Sequence, residues 1–319
     1  MKKLVRKILN LPLLQNDPPV LIDIGASEEL HPKWKEIAKY AICIAFDADE
    51  RDFKFIEKEK SKFRKLFIYN SIVTSEPVER TKFYLTDSPY CSSILLPDEE
   101  KLKSYIHSDL FRVDRITELK AVQLQKALDE LGINKVDWFK IDSQGTDLRL
   151  FKSVNNQIRE KIIVAEFEPG IIDAYKNEDK LYSVLEFMSK SNFWLSDIII
   201  KGVPRFSNEL WNSTFRGGYF KKLIKESIKK APGWGEMTFF NSFENESLNE
   251  RNYLLGWVFA TIENQYSFAY TIANKGADKF KNRLFEELKN SSLKEMKKQV
   301  YKLKFIPSAI SFIKKSVSK

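Results

Sequence analysis

The sequence is most constrained by two short stretches in which an apolar strand runs directly into an acidic turn that contains glycine. The first is VLIDIGAS at 20–27, with its turn at Gly25, and the second is VDWFKIDSQGTDLRL at 136–150, with its turn at Gly145. A strand, an acidic turn and a helix make the βα junction of a doubly wound sheet, where ligands bind at the carboxyl ends of the strands. Two such junctions on neighbouring strands predict one shared crevice.

The rest of the chain alternates between apolar strand patterns and amphipathic helix patterns, which favours an α/β fold with a doubly wound, Rossmann-like sheet. Helices are expected at 50–61, at 116–131 with a stop at Gly132, at 179–190, and from 246 onward with a break at 274–276. Strands are expected at 20–24, 41–46, 66–70, 136–141 and 161–167, with an extra strand at 81–85 and an antiparallel pair at the sheet edge at 193–200 and 236–241.

The positive charge is concentrated at one end of the chain. The net charge is +9, and the segment 275–319 alone holds 13 Lys and Arg against 4 Asp and Glu, so the preceding residues are neutral. This distribution argues against a nucleic-acid groove across the body and favours a tail that contacts an anionic surface. We expect a basic N-terminal arm at 1–14, an α/β domain at 15–243 and a basic helical C-terminal extension at 244–319.

Cysteine and histidine are scarce. Two cysteines form no disulfide framework, and with only two histidines we expect no metal site. No apolar run approaches the roughly 18 residues that span a bilayer, and the basic N-terminus lacks the long apolar region of a signal peptide. We therefore expect a cytoplasmic protein, and the sequence leaves its oligomeric state open.

The first turn favours a cofactor without a phosphate. The dinucleotide fingerprint needs three glycines, whereas here Gly25 stands alone and is followed by Glu28 and Glu29. S-adenosylmethionine does not need a phosphate cradle but does need an acid for its ribose. Asp47, about 20 residues past the turn, is the first candidate for that acid and Asp49 the second. Either acid could instead cap the next helix.

Five runs, DIGAS, AFDAD, FYLTDSPYCSSILLP, FKIDSQGTDL and VAEFEP, resemble in order and spacing the FkbM family of S-adenosylmethionine-dependent methyltransferases over roughly 20–240. The resemblance implies a seven-stranded class I methyltransferase sheet and O-methylation of a hydroxyl on a sugar, glycan or glycolipid precursor. It implies these site residues: Asp23, Gly25 and Ala26 in the cofactor turn, Asp47 for the ribose, Asp142, Gln144 and Gly145 in the second turn, and Glu166 on the next strand.

The residue that would accept a proton from the acceptor is left open. Where the family has Glu, this chain has Gln144, which cannot be a base, so the candidates are Asp142, Glu166 and His107. Asp142 could instead hold the methionine ammonium group of the cofactor, or it could cap the following helix. Methyl transfer from a sulfonium can also rest mainly on positioning.

Three further features each have two interpretations. The loop residues Tyr90, Ser92 and Ser93 suit a sugar-binding loop, or they serve ordinary turn chemistry. The basic amphipathic tail at 305–319 either lies on an anionic membrane at its inner face or packs on the body. The whole chain is either an enzyme or a non-catalytic binding or scaffold protein on a degenerate methyltransferase fold, and titration with S-adenosylmethionine separates these two functions.

Overall fold

The computed structural model describes residues 1–26, 31–48, 60–215, 224 and 227–317. The candidate ribose ligand Asp49, the two glutamates at 28 and 29 and nearly all of the predicted helix at 50–61 lie outside the described residues. The chain forms two compact units. One is Pro19–Asn245, and the other combines Met1–Pro18 with Glu246–Lys319.

The strands of the first unit form a seven-stranded sheet and a three-stranded sheet. They are β1 (Val20–Ile24), β2 (Ile42–Phe46), β3 (Lys65–Tyr69), β4 (Ile72–Thr74), β5 (Arg80–Thr86), β6 (Val113–Gln123), β7 (Trp138–Ile141), β8 (Val164–Phe167), β9 (Phe193–Val203) and β10 (Ala231–Asn241). The helices of the chain are α1 (Lys2–Leu9), α2 (Pro12–Asn16), α3 (Glu99–Leu102), α4 (Leu124–Glu130), α5 (Asp147–Ser153), α6 (Asn156–Arg159), α7 (Leu181–Ser189), α8 (Asn208–Thr214), α9 (Glu250–Ile262), α10 (Tyr266–Phe280) and α11 (Arg283–Val317).

The large sheet has the order β3-β2-β1-β7-β8-β10-β9, in which β10 runs antiparallel to both β8 and β9. Strand order reverses at β1, which pairs in parallel with β2 on one side and with β7 on the other. This point is the switch point at which a doubly wound sheet opens a crevice. The α/β, doubly wound, Rossmann-like class I methyltransferase sheet that the sequence predicts is confirmed, as is the antiparallel pair at its edge.

Central strands of a parallel sheet are usually buried on both faces. All five residues of β1 are buried, and so are all four of β8. The main core is built from apolar side chains of β1, β7 and β8 with α4, α5 and α7, and Phe151 lies edge-on to the rings of Phe139 and Phe167. Each fully buried side chain of this size contributes about 1.5–3 kcal/mol.

The three-stranded sheet has the order β4-β6-β5. The predicted helix at 116–131 is wrong in its first half, because residues 116–123 belong to strand β6, which pairs with β5. Only Leu124–Glu130 is helical. The leucine spacing suggested a helix, but Leu119 packs under the small sheet while Leu124 packs in the main core. The predicted stop is present: Gly132 has φ +66°, and the following amide donates to the Leu128 carbonyl at 2.9 Å.

The described elements of the second unit are helices, and the unit combines Met1–Pro18 with Glu246–Lys319. Helix α1 buries Val5, Ile8 and Leu9, and Lys7 forms an ion pair of 2.6 Å with Glu287 of α11. On α9, the Trp257 indole donates to the Ser292 hydroxyl of α11 at 2.9 Å. The structure thus groups the predicted arm with the extension, whereas the sequence suggested two separate segments.

The predicted break at 274–276 is wrong, because α10 continues through it. A β-carbon on Gly276 would lie 2.6 Å from the Phe285 ring, so this glycine allows close packing against α11. The helix ends at Lys281, which has φ +54°. Within the described residues, no helix combines the length and apolarity needed to cross a membrane.

Candidate active site

The two junctions of the sequence are in direct contact at the switch point. Gly25 has φ +76°, and its amide donates to the Phe46 carbonyl at 3.0 Å. The Asp142 amide donates to the Ile24 carbonyl at 3.0 Å. A β-carbon on Gly25 would overlap the Asp142 carbonyl oxygen, well inside the 3.0 Å that such contacts keep. Glycine is required at this position both by its backbone conformation and by the approach of the second turn.

The second turn is held by hydrogen bonds from two other loops. Gln144 has φ +54°, a conformation that costs a non-glycine residue of order 1–3 kcal/mol. Its amide group donates to Asp142 Oδ1 at 2.6 Å, and its backbone carbonyl accepts from the Ser93 hydroxyl at 2.7 Å. The Tyr175 hydroxyl lies 3.1 Å from Gln144 Oε1 and 2.8 Å from the Cys91 carbonyl, and it can donate to either. These bonds offset the cost of the turn.

A first cavity, here called cavity A, of about 130 Å³ opens at the ends of β1, β2 and β7. Its polar lining includes Asp47, Asp142 and Gln144, and Gly25 also lines it. Its apolar lining includes Phe46, Ile72, Val73, Phe83 and Ile94. Asp47 thus lines the same cavity as Gly25 and Asp142, and its role as the ribose ligand stays a prediction.

A second cavity, cavity B, has a volume of about 420 Å³. Four aromatic rings line it, those of Tyr90, Phe111, Tyr175 and Trp234, and its polar lining includes His107 and Glu168. Tyr90, Asp142 and Gln144 line both cavities. The acidic turn after β7 is consequently the shared wall of two adjacent spaces.

The charges below the turn are paired. Lys140 lies 2.7 Å from Asp23, and both side chains are largely buried. Burial opposes the charge of Lys140, but Asp23 and Asp142 outweigh it and raise the Lys140 pKa above its usual range. Burial also raises the pKa of Asp142, although Lys140 and the bond from Gln144 counteract this. Asp23 is thus committed to an ion pair and is not among the described residues that line either cavity.

Two acids that were not among the predicted site residues are part of this region: Glu168 lines a cavity, and Asp147 supports the backbone beside it. Glu168 follows β8 and lines cavity B, and burial together with the nearby Asp142 raises its pKa well above its usual range. Asp147 begins α5 and accepts from the amides of Ser143 at 3.0 Å and Glu168 at 2.8 Å, and burial raises its pKa to about 7. The signal for Glu168 was present in VAEFEP, because the second acid of that run comes after the strand ends.

Glu166, the predicted acid of β8, occupies a different environment. Its carboxylate accepts from Lys33 Nζ at 2.6 Å and from His31 Nε2 at 3.1 Å. Burial alone would raise its pKa, but the bond from His31 and the charge of Lys33 lower it to about 2. It is not among the described residues that line the cavities, so the geometry gives it a structural ion pair and offers no support for the predicted role as a base.

Some of the remaining predicted residues line a cavity, and the others form hydrogen bonds that support the turns beside it. His107 lines cavity B, Ser92 lines cavity A, and Gly145 has φ +103° and lines cavity B. Ser93 is buried and supports Gln144, and the Ala26 amide donates to Phe46 at 3.2 Å. Within the described part of the chain, no group of three or more His, Cys, Asp or Glu side chains is arranged to hold a metal ion.

Comparisons with known proteins give structural similarity at low sequence identity. No protein-family model matches the chain, and no curated protein matches it. Among solved structures, the chain is similar to the crystal structure of a precorrin-6y C5,15-methyltransferase from Geobacter metallireducens GS-15. The identity is 12%, the match covers 75% of this chain and 87% of that chain, and the TM-score is 0.35. The strand order itself defines the class: a Rossmann-like sheet of the class I methyltransferase type, with a two-cavity site at its switch point. Membership of the FkbM family stays a prediction.

Proposed function

We propose that the protein is an S-adenosylmethionine-dependent O-methyltransferase that acts on a hydroxyl of a sugar, glycan or glycolipid precursor. This proposal rests mainly on the turn after β7, which borders both cavities. Asp142 and Gln144 line both cavities, so a donor in cavity A and an acceptor in cavity B would meet at one acidic turn. Transfer between two bound molecules requires such adjacency.

The residues of cavity A fit S-adenosylmethionine. The Asp47 carboxylate at the end of β2 can accept from ribose hydroxyls, and the apolar wall suits a purine ring. The Asp142 carboxylate also lines this cavity and has one of two alternative roles: it holds the ammonium group of the cofactor, or it accepts the proton of the acceptor. When bound, this cofactor supplies an electrophilic methyl group. The described residues that line cavity A include the acid Asp47 and no lysine or arginine that could bind the phosphate of a phosphate-bearing cofactor.

Cavity B supplies groups that can hold and deprotonate a hydroxyl. Aromatic rings pack well on the apolar faces of a sugar ring, and four of them line the cavity. Asp142 lines cavity B, and in its alternative role as the base it would accept the proton of the hydroxyl, for which burial raises its affinity by raising its pKa. Burial raises the pKa of Glu168, which also lines cavity B, to about 9, so Glu168 is protonated near neutral pH and can donate a hydrogen bond to the acceptor.

Isothermal titration with S-adenosylmethionine tests the proposal against a non-catalytic scaffold. The wild-type chain should bind, and Asp47→Ala should bind at least about tenfold more weakly, because hydrogen bonds to a charged group contribute about 1.5–3 kcal/mol. Asp114→Ala, which removes an exposed carboxylate on β6, is the matched control and should bind like wild type. A folded wild-type chain that does not bind the cofactor would favour the scaffold function instead.

A further inference from the structure

The outer edge of the large sheet carries an apolar strand flanked by opposite charges. Strand β9 is the last in the sheet order, and its middle reads Asp197-Ile198-Ile199-Ile200-Lys201. The three isoleucines are 38%, 47% and 45% exposed. A long edge strand with exposed apolar side chains is a template for pairing with another strand, and natural proteins usually protect such edges.

The segment is self-complementary in charge. If two copies of β9 pair antiparallel about a two-fold axis at Ile199, residue 197 of each copy lies opposite residue 201 of the other. Asp197 of each copy then faces Lys201 of the other copy, which gives one ion pair on each side of the axis. A two-fold axis at either neighbouring isoleucine would leave both charges without an opposite charge across the pair. The charge pattern therefore selects one register.

The same register also pairs the isoleucines. Side chains alternate between the faces of a strand, so Asp197, Ile199 and Lys201 share one face and Ile198 and Ile200 share the other. On the first face the central isoleucines meet between two ion pairs. On the second face Ile198 meets Ile200 of the other copy on both sides of the axis. Every residue of the segment would thus face a complementary partner, as an isologous interface requires.

We propose that the protein forms a homodimer in which the two β9 edges pair antiparallel about Ile199, continuing the sheet across the two copies. Within one copy, Lys201 pairs with Glu236 of β10 at 3.0 Å, which holds the ammonium group on the face where the second copy's Asp197 would lie. No described cation forms an ion pair with Asp197 inside its own chain. The dimer would give this carboxylate its cation.

Sedimentation analysis of full-length charge variants tests the register. The wild-type chain should have twice the monomer mass of 37.4 kDa at micromolar concentration. A dimer of the Asp197→Lys variant would place the new lysine opposite Lys201 on both sides of the axis, so this variant should be monomeric. A dimer of the Lys201→Glu variant would place the new glutamate opposite Asp197 on both sides, so this variant should also be monomeric. An equimolar mixture of the two variants restores both ion pairs and should dimerise again. A merely destabilising substitution would not be rescued by mixing.

Cysteine cross-linking gives a second, independent measurement. Directly opposite residues of an antiparallel pair have β-carbons about 4.5–5.5 Å apart, so Ile199→Cys should form an intermolecular disulfide under mild oxidation. Both native cysteines are buried and should not interfere. Ile116→Cys on β6, 57% exposed, is the control and should stay monomeric. A monomeric wild-type chain, an Asp197→Lys variant that still dimerises, or equal cross-linking of both cysteine variants would overturn the proposal.

Discussion

Replacing Gly25 by alanine should damage the site far more than the same replacement at Gly132. Both glycines have positive φ, +76° and +66°, and a left-handed conformation costs an L-residue roughly 1–2 kcal/mol. At Gly132 nothing lies within 4 Å of the added β-carbon, so this is the whole cost. The effect of the change on the unfolded chain is shared by both variants and cancels in the comparison.

At Gly25 the added carbon meets the Asp142 carbonyl oxygen, which is backbone and cannot rotate away. Overpacking of this kind costs about 1–3 kcal/mol, so Gly25→Ala should lower the free energy of unfolding by about 2–5 kcal/mol in total. The carbonyl belongs to the turn that lines both cavities. Its displacement should weaken binding of S-adenosylmethionine at least about tenfold, since each factor of ten corresponds to 1.4 kcal/mol.

Urea denaturation followed by tryptophan fluorescence gives the free energies of unfolding, and isothermal titration gives the affinities. Gly25→Ala should be less stable than Gly132→Ala by about 1–3 kcal/mol, and only Gly25→Ala should lose affinity for the cofactor. Equal stability and equal affinity of the two variants would refute this prediction. That result would show that neither folding nor cofactor binding depends on the close contact between Gly25 and the Asp142 carbonyl.

Three further predictions concern the second turn, the ion pair of Glu166 with Lys33 and the C-terminal tail. Gly145→Val should weaken cofactor binding in the same titration more than it lowers the melting temperature, because its side chain would press on Glu178 and Leu95 beside Gln144; loss of stability alone would make this turn purely structural. Wild type should be more stable than Glu166→Gln by roughly 3 kcal/mol above pH 4.5, and this difference should disappear as the pH falls toward 2. The reason is that the pKa of Glu166 in the folded chain, about 2, lies below its unfolded value of 4.5. Urea denaturation at several pH values measures the difference. A chain ending at Tyr301 should co-sediment with anionic vesicles less than the full-length chain at low salt while binding the cofactor equally well, because each lysine near an anionic surface contributes about 1 kcal/mol; equal partitioning would show that the tail does not bind membranes.

The sequence was sufficient to predict the parts of the fold that follow from local chemistry. A buried run ending in Asp23 and Gly25 can form little other than a strand and a tight turn, and the structure places it at the switch point. The stop at Gly132 was predictable for the same reason, since a glycine after a run of leucines ends a helix. These features depend on only a few neighbouring residues.

Features that depend on distant partners were not predictable. The strand at 113–123 exists because β5 pairs with it, and no helical periodicity within the segment could reveal that partner. Gly276 looked like a break but makes room for the Phe285 ring of the next helix. At the site, Glu166 and Glu168 are two residues apart, and only the positions of His31 and Lys33 show that the first is committed to an ion pair.

The turn at Asp142 and Gln144 has a thermodynamic consequence. Gln144 is held in a costly backbone conformation by bonds from Ser93 and Tyr175, and the turn borders both cavities. A molecule in one cavity that shifts this turn also shifts the wall of the other cavity. Linkage is reciprocal, so if the proposed donor raises the affinity for the acceptor through this turn, the acceptor raises the affinity for the donor by the same factor. In that case, affinities measured with either molecule alone would understate those in the complex of both.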